Sequence, residues 1–197
     1  MFCTIKLVMY MIIPVGVSRR HVHLTEEVAK ELFGTSELPV RNPLNQPGQF
    51  ASTFTVDLEW NGQVIEHVRV VGPIRPYNQI ELSDDECKII GVNPPERQSG
   101  DLEGSLPINI IGPNGKVSLS SGLIKAERHI HMTPESCEKE NVVNKEPVEV
   151  YHNGKFVFKA IIKLSDPGFD EIHIDTVEEK TYDLHTGDLV EFKKCGK

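Results

Sequence analysis

Arg19-Arg20-His21-Val22-His23-Leu24-Thr25-Glu26-Glu27 returns further along the chain as Glu127-Arg128-His129-Ile130-His131-Met132-Thr133-Pro134-Glu135. Strand-forming residues precede each copy and a helix start follows it. One short unit is therefore used twice, and the chain reads as two related halves. In an extended strand, side chains at i and i+2 share a face and lie roughly 6–7 Å apart along the chain. His21 with His23, and His129 with His131, are set side by side, while Val22 and Ile130 turn the other way toward a core. Two imidazoles are too few for a zinc shell, which takes about four ligands, so further donors have to come from elsewhere in the chain.

Outside the repeat the dominant local signal is β. Asn61-Gly62, Asn114-Gly115 and Asn153-Gly154 each separate two runs rich in β-branched and aromatic residues. Asn and Gly both tolerate the positive φ that tight hairpins need. The pairs predict hairpins of 54–60 with 64–71, 108–111 with 116–119 and 148–151 with 156–164, with later strands at 171–175 and 188–193. Helices are few and short. Thr25 caps one running to about Phe33, Ser83 and Glu86 have capping-box spacing, and Thr133-Pro134 is a cap followed by proline at the first helical position. No stretch has the length of an α/β crossover, so a doubly wound parallel sheet is set aside. Short antiparallel strands in barrels or sandwiches are expected instead.

A length of 197 residues admits one large domain or two small ones. A net charge of −8 argues against a general nucleic-acid binder but leaves room for a local basic pocket. Cys3, Cys87, Cys137 and Cys195 form no CxxC pair and read as unrelated thiols of a reducing compartment. The apolar run 1–13 is too short to span a bilayer and has no cleavage site before Pro14. A first strand, a docking peptide and a start-site artefact stay open for it.

Two residues are candidates for the missing donors. His173 sits in the alternating run Glu171-Ile172-His173-Ile174-Asp175, and Glu81 in Asn78-Gln79-Ile80-Glu81-Leu82. Imidazole with carboxylate suits zinc or a similar borderline metal. A lone His-X-His is ordinarily a surface or hydrogen-bonded pair; two copies in matched contexts favour a metal. His67, His152 and His185 lack such company and read as surface or structural residues. Asp175 is a candidate for orienting an imidazole. Arg75 lies between Pro73 and Pro76, in a segment of reduced backbone freedom. A rigidly presented guanidinium matches two phosphate oxygens at once; the alternative is a surface arginine in a proline turn.

In chain order, Val17-Ser18-Arg19-Arg20-His21-Val22-His23-Leu24, Gln46-Pro47-Gly48-Gln49-Phe50, Gly72-Pro73-Ile74-Arg75, Ser99-Gly100-Asp101-Leu102-Glu103-Gly104-Ser105, Arg128-His129-Ile130-His131-Met132-Thr133 and His173-Ile174-Asp175-Thr176 resemble the motifs of PduL-type phosphotransacylases, the phosphate propanoyltransferase family. The likeness runs from about Ile13 to the C-terminus. It implies a mainly β fold of two small antiparallel β-barrels with a few short helices and an active site in the cleft between them. Residues 12–20 with about 122–197 would form a discontinuous first barrel, about 36–121 the second, and 1–11 an N-terminal extension. The resemblance also implies two zinc ions per chain, one held by His21, His23 and Glu81, the other by His129, His131 and His173. Arg75 matches the family's catalytic, phosphate-binding arginine, and Val17, Ser18, Arg19 and Arg69 match positions near coenzyme A. Val177-Glu178-Glu179-Lys180 departs from the family's Asp-Glu-Ala-Asn, so Lys180 stands where an asparagine touches coenzyme A.

The implied activity is transfer of a short acyl group, propanoyl or acetyl, between coenzyme A and inorganic phosphate. A zinc-dependent thioester or phosphate-ester hydrolase and a non-catalytic metal- or acyl-CoA-binding module are the alternatives. The implied partners are acyl-CoA or CoA and phosphate or acyl phosphate, with no nucleic acid and no membrane. A homo-oligomer and association with a microcompartment shell stay open, and the expected location is the cytoplasm, free or inside a bacterial microcompartment.

Overall fold

The strands of the computed structural model, which describes residues 11–195, are β1 (Met11–Val17), β2 (His21–His23), β3 (Val40–Pro43), β4 (Phe50–Trp60), β5 (Gln63–Gly72), β6 (Gln79–Glu81), β7 (Glu96–Arg97), β8 (Leu106–Gly112), β9 (Gly115–Ala126), β10 (His129–Met132), β11 (Pro147–His152), β12 (Lys155–Leu164), β13 (Glu171–Ile174) and β14 (Leu189–Lys194). The helices are α1 (Glu26–Phe33), α2 (Asp84–Ile90), α3 (Pro134–Lys139) and α4 (Thr176–Tyr182). The expected extension at 1–11 lies outside the described residues except for Met11, which opens β1.

The hairpins form where the Asn-Gly pairs stand. Asn61 and Gly62 both take positive φ (49° and 80°), as do Asn153 and Gly154 (51° and 72°), the geometry that matches strand twist in a two-residue turn. Each predicted cap is also present. The Thr25 side chain accepts from the Val28 N–H, the Thr133 side chain from the Ser136 N–H, and Ser83 with Glu86 forms a reciprocal capping box. Helix α4 was not anticipated because its sequence has no apolar stripe, and none of its residues is buried. Asp175 Oδ1 accepts from the Val177 N–H at its start, a local capping contact.

Among the described residues, 11–17, 128–174 and 178–195 form one compact unit, and 18–127 with 175–177 form another. The first is a closed barrel in the order β1-β13-β10-β12-β11-β14. Going round it, β1 is parallel to β13, β13 antiparallel to β10, β10 parallel to β12, and the remaining pairs are antiparallel. In the second unit β9-β6-β2-β5-β4-β8 also closes on itself, because β8 pairs with both β4 and β9. Its pairings run in the same succession: β9 parallel to β6, β6 antiparallel to β2, β2 parallel to β5, the rest antiparallel. β3 and β7 add to this ring through β4 and β9. The two-barrel, mainly β fold is therefore as expected, with parallel pairs in each ring that hairpin turns do not signal.

The division between units falls at Val17/Ser18 and Glu127/Arg128 rather than near residues 20 and 122. β9 keeps pairing to Ala126 through β7, and β2 pairs with β5 and β6, so 18–20, 21–35 and 122–127 all belong to the second unit. Each unit has its own core. Val22, Leu58, Val70, Ile80 and Ile110 are in one, Val15, Ile130, Ile162, Ile172 and Val190 in the other, and all are fully enclosed. Val22 and Ile130, between the paired histidines, point inward as their alternation requires. Leu58→Ala should cost about 2–5 kcal/mol through lost burial and a residual cavity, read as a lower urea midpoint with unchanged slope.

Candidate active site

Strand pairing brings distant residues opposite one another. β2 and β6 align His21 with Glu81 and His23 with Gln79; β10 and β13 align His129 with His173 and His131 with Glu171. These two ladders occupy the same place in the two rings, so Glu81 and His173 are equivalent. In each unit the donor atoms converge. Those of His21, His23 and Glu81 lie within 4.8 Å of one another, and so do those of His129, His131 and His173. The resulting rings are edge to face, with centroids 5.0 Å apart for His21 and His23 and 4.7–5.2 Å apart within the second trio.

Hydrogen bonds fix which nitrogen is free. His21 Nδ1 lies 2.9 Å from the Arg19 carbonyl and His23 Nδ1 3.0 Å from the Val71 carbonyl. A carbonyl only accepts, so both rings carry their proton on Nδ1 and leave Nε2 with its lone pair. His21 Nε2 then stands 3.6 Å from Glu81 Oε2. Ser165 Oγ donates to the Lys163 carbonyl and stands 2.7 Å from His131 Nδ1. The hydroxyl thereby accepts from that ring and leaves His131 Nε2 bare, 3.1 Å from His129 Nε2. Bare ring nitrogens held by carbonyl or hydroxyl acceptors on the other side are the arrangement a metal-ligating histidine requires.

Burial keeps His23 and His131 neutral. His23 is pushed down to about 3, first by desolvation, then by the neighbouring His21 and against the pull of Glu81. His131 is also held far below the usual imidazole range, by burial and then by His129 and His173. Neutral imidazole is the form that binds a metal. The donor sets, two imidazoles with a carboxylate and three imidazoles, fit a zinc-like ion by type and number.

Arg75 follows β5 in the second unit, its backbone N–H bonded to the Leu24 carbonyl at 2.9 Å. Its charge is one of the influences that lower His23, so the guanidinium stands close to that cluster. Its Nε is buried without a hydrogen-bond partner among the described residues. An unpaired buried guanidinium nitrogen costs free energy until an acceptor arrives. Arg69 is differently employed, with Nη1 donating to the carbonyls of Ser52 and Thr53 at 3.0 and 2.9 Å. Val17 and Lys180 lie in the first unit, Lys180 exposed on α4; Ser18 and Arg19 lie in the second, Arg19 exposed.

Two functional neighbours escaped the sequence reading. Glu171 Oε2 accepts from His173 Nε2 at 2.8 Å, so Glu171 is a carboxylate set against an imidazole. Gln79 Nε2 donates to Glu81 Oε1 at 2.5 Å. Both sit two residues before a candidate ligand in the same strand, a same-face spacing legible in principle.

The sequence profile of the phosphate propanoyltransferases matches residues 14–185. The chain belongs to the phosphate propanoyltransferase family. It is 44% identical over 181 residues to a phosphate propanoyltransferase of Thermotoga maritima, covering 89% of this chain and 86% of that one. It is 38% identical to those of Rhodopseudomonas palustris, over 92% of this chain and 82% of the other, and Rhodobacter capsulatus, over 93% and 87%. Membership makes the chain an acyltransferase, and the matched span includes all six residues of the two clusters.

Glu171 is packed against the backbone of β1: a Cβ on Gly16 would lie 2.6 Å from Glu171 Cδ. Gly16→Ala should therefore displace the carboxylate and lower stability by about 1–3 kcal/mol. The check is a denaturant melt; an unchanged midpoint would mean that Glu171 moves aside at no cost.

Proposed function

We propose that this acyltransferase exchanges a short acyl group, propanoyl or acetyl, between coenzyme A and inorganic phosphate, and that it depends on zinc. His21, His23 and Glu81 would hold one ion, and His129, His131 and His173 the other, giving two per chain. The observation that carries the reading is that two three-donor clusters occupy equivalent ladder positions in a chain of this family. When bound, the metal supplies Lewis-acid stabilisation of negative charge.

In the forward direction a phosphate oxygen attacks the thioester carbonyl, the carbon–sulfur bond breaks, and the products are acyl phosphate and the thiol of coenzyme A. Phosphate is a weak nucleophile that must approach a polar carbonyl in a fixed orientation. Arg75 offers planar N–H donors to two of its oxygens, and the buried Nε has no competing partner. The same guanidinium offsets the negative charge that develops as the carbonyl becomes tetrahedral. Two of the cysteines, Cys87 and Cys137, are buried with thiols pushed up by desolvation. That disfavours the thiolate needed for a covalent acyl-enzyme and supports direct transfer.

Val17, Ser18, Arg19, Arg69 and Lys180 are proposed to meet coenzyme A, with the exposed Arg19 and Lys180 suited to its phosphates. Among the described residues no helix is long and apolar enough to cross a membrane. The proposed location is the cytoplasm, free or inside a bacterial microcompartment, and self-association and shell association belong to the same proposal.

Thiol release from propanoyl-CoA and acetyl-CoA, followed with and without phosphate, tests the reaction. Release that requires phosphate is expected; release of free acid at the same rate without phosphate would make the chain a hydrolase. Arg75→Ala is expected to retain its zinc and lose a factor of about 100 or more in turnover. Metal analysis should find two zinc ions per chain, with activity lost to a chelator and restored by zinc. An active, metal-free enzyme would end the zinc assignment.

A further inference from the structure

The motif Ser99-Gly100-Asp101-Leu102-Glu103-Gly104-Ser105 supplies none of the candidate ligands, yet two of its residues bind one buried side chain. Gln79 is 0% exposed. Its Oε1 accepts from the Gly100 N–H at 2.7 Å, while its Nε2 donates to Ser99 Oγ at 2.9 Å and to Glu81 Oε1 at 2.5 Å. A backbone N–H can only donate, so Gly100 dictates which end of the amide faces it. The NH2 group is thereby turned toward Ser99 and Glu81. The turn itself is tied down from both sides: the Asp101 N–H bonds the Gln98 carbonyl at 2.9 Å, and Ser105 Oγ accepts from the Gly122 N–H at 2.9 Å.

The consequence falls on Glu81. One carboxylate oxygen, Oε1, is engaged by Gln79; the other, Oε2, faces His21 Nε2 at 3.6 Å. The first unit offers a control within the same chain. The position equivalent to Gln79 is Glu171, set against His173 at 2.8 Å. There the neighbouring donor residue is an imidazole that presents an N–H, and its companion is an acceptor. Here it is a carboxylate, and its companion is a donor. The polarity of the companion reverses with the polarity of the residue it touches, which packing alone does not require.

We propose that Gln79 is a positioning residue: locked by the Ser99–Gly100 turn, it holds one oxygen of Glu81 and so sets the orientation in which that carboxylate meets a divalent metal ion shared with His21 and His23. This inference rests on the zinc reading above. Companions that orient a ligand in this way typically contribute about 10- to 100-fold to metal affinity.

The test is the zinc Kd, by chelator competition, in a His131→Ala background that disables the other cluster. Gln79→Met keeps the length of the side chain and removes both polar atoms; it is expected to raise Kd about 10- to 100-fold. Ser99→Ala leaves Gln79 in place, keeps the fold if Gln79→Met does not, and is expected to raise Kd by a smaller factor in the same direction. Asp101→Ala, which removes the Oδ1 acceptor of the Glu103 N–H and keeps the Ser99 and Gly100 bonds to Gln79, is expected to leave Kd within twofold. Melting of the metal-free proteins is followed alongside, and the Ser99→Ala effect on Kd is expected without a matching drop in melting temperature. Unchanged Kd in both Gln79→Met and Ser99→Ala overturns the assignment. So does an Asp101→Ala loss equal to that of Ser99→Ala, which would mark general loosening of the loop. A parent protein that takes up no zinc ends the metal reading itself, whereas a zinc-binding parent with indifferent variants ends the role of Gln79 alone.

Discussion

Antiparallel pairing of a short His-X-His strand with a second short strand sets His21 across from Glu81 in one barrel and His129 across from His173 in the other. The rest of the site follows from that register. A slip by one residue would send the imidazoles into the core and bring Val22 or Ile130 to the polar face. The slip is opposed because Val22, Ile80, Ile130 and Ile172 are all fully enclosed on the apolar side. The hydrophobic core of each barrel is thus what holds its polar cluster in alignment, and the two tasks share the same strands on opposite faces.

Gathering three titratable groups inside a fold is costly unless their protons are placed. Here backbone carbonyls do much of that placing. Arg19 and Val71 each accept from one imidazole; Arg19 lies just before β2, and Val71 is in β5, the parallel neighbour of β2. Ser165 does the same for His131 from the segment after β12. Because these acceptors sit on the far side of each ring, the nitrogens facing inward are left bare. Neutral His23 and His131 can stand beside other rings where charged ones would repel.

Much of the fold was legible because it is written in local chemistry. Asn61-Gly62 and Asn153-Gly154 mark turns, Thr25, Ser83 and Thr133 mark helix starts, and the repeated His-X-His marks two equivalent places. Ring closure was not legible, since the parallel partners β1 with β13 and β10 with β12 are joined through no turn signal. α4 was missed because it buries nothing. Asp175 caps the helix start at Val177, and Glu171, which stands against His173, was not singled out because a glutamate two residues before a histidine is a common strand pattern. Gln79 was overlooked for a different reason. A glutamine in a strand carries no charge and no motif, and its significance comes from Gly100 and Ser99, distant in sequence.

The interleaving of the first barrel also bears on how the chain is made. β1 pairs with β13 and β14, so its edges find their partners only after residues 189–194 have been synthesised. The second unit, spanning 18–127 apart from three residues, has nearly everything it needs much earlier. A nascent chain would therefore emerge from the ribosome with one barrel able to close while an apolar strand ahead of it waits. That strand, with Ile12 exposed even in the finished protein, is the one that waits longest for both of its neighbours.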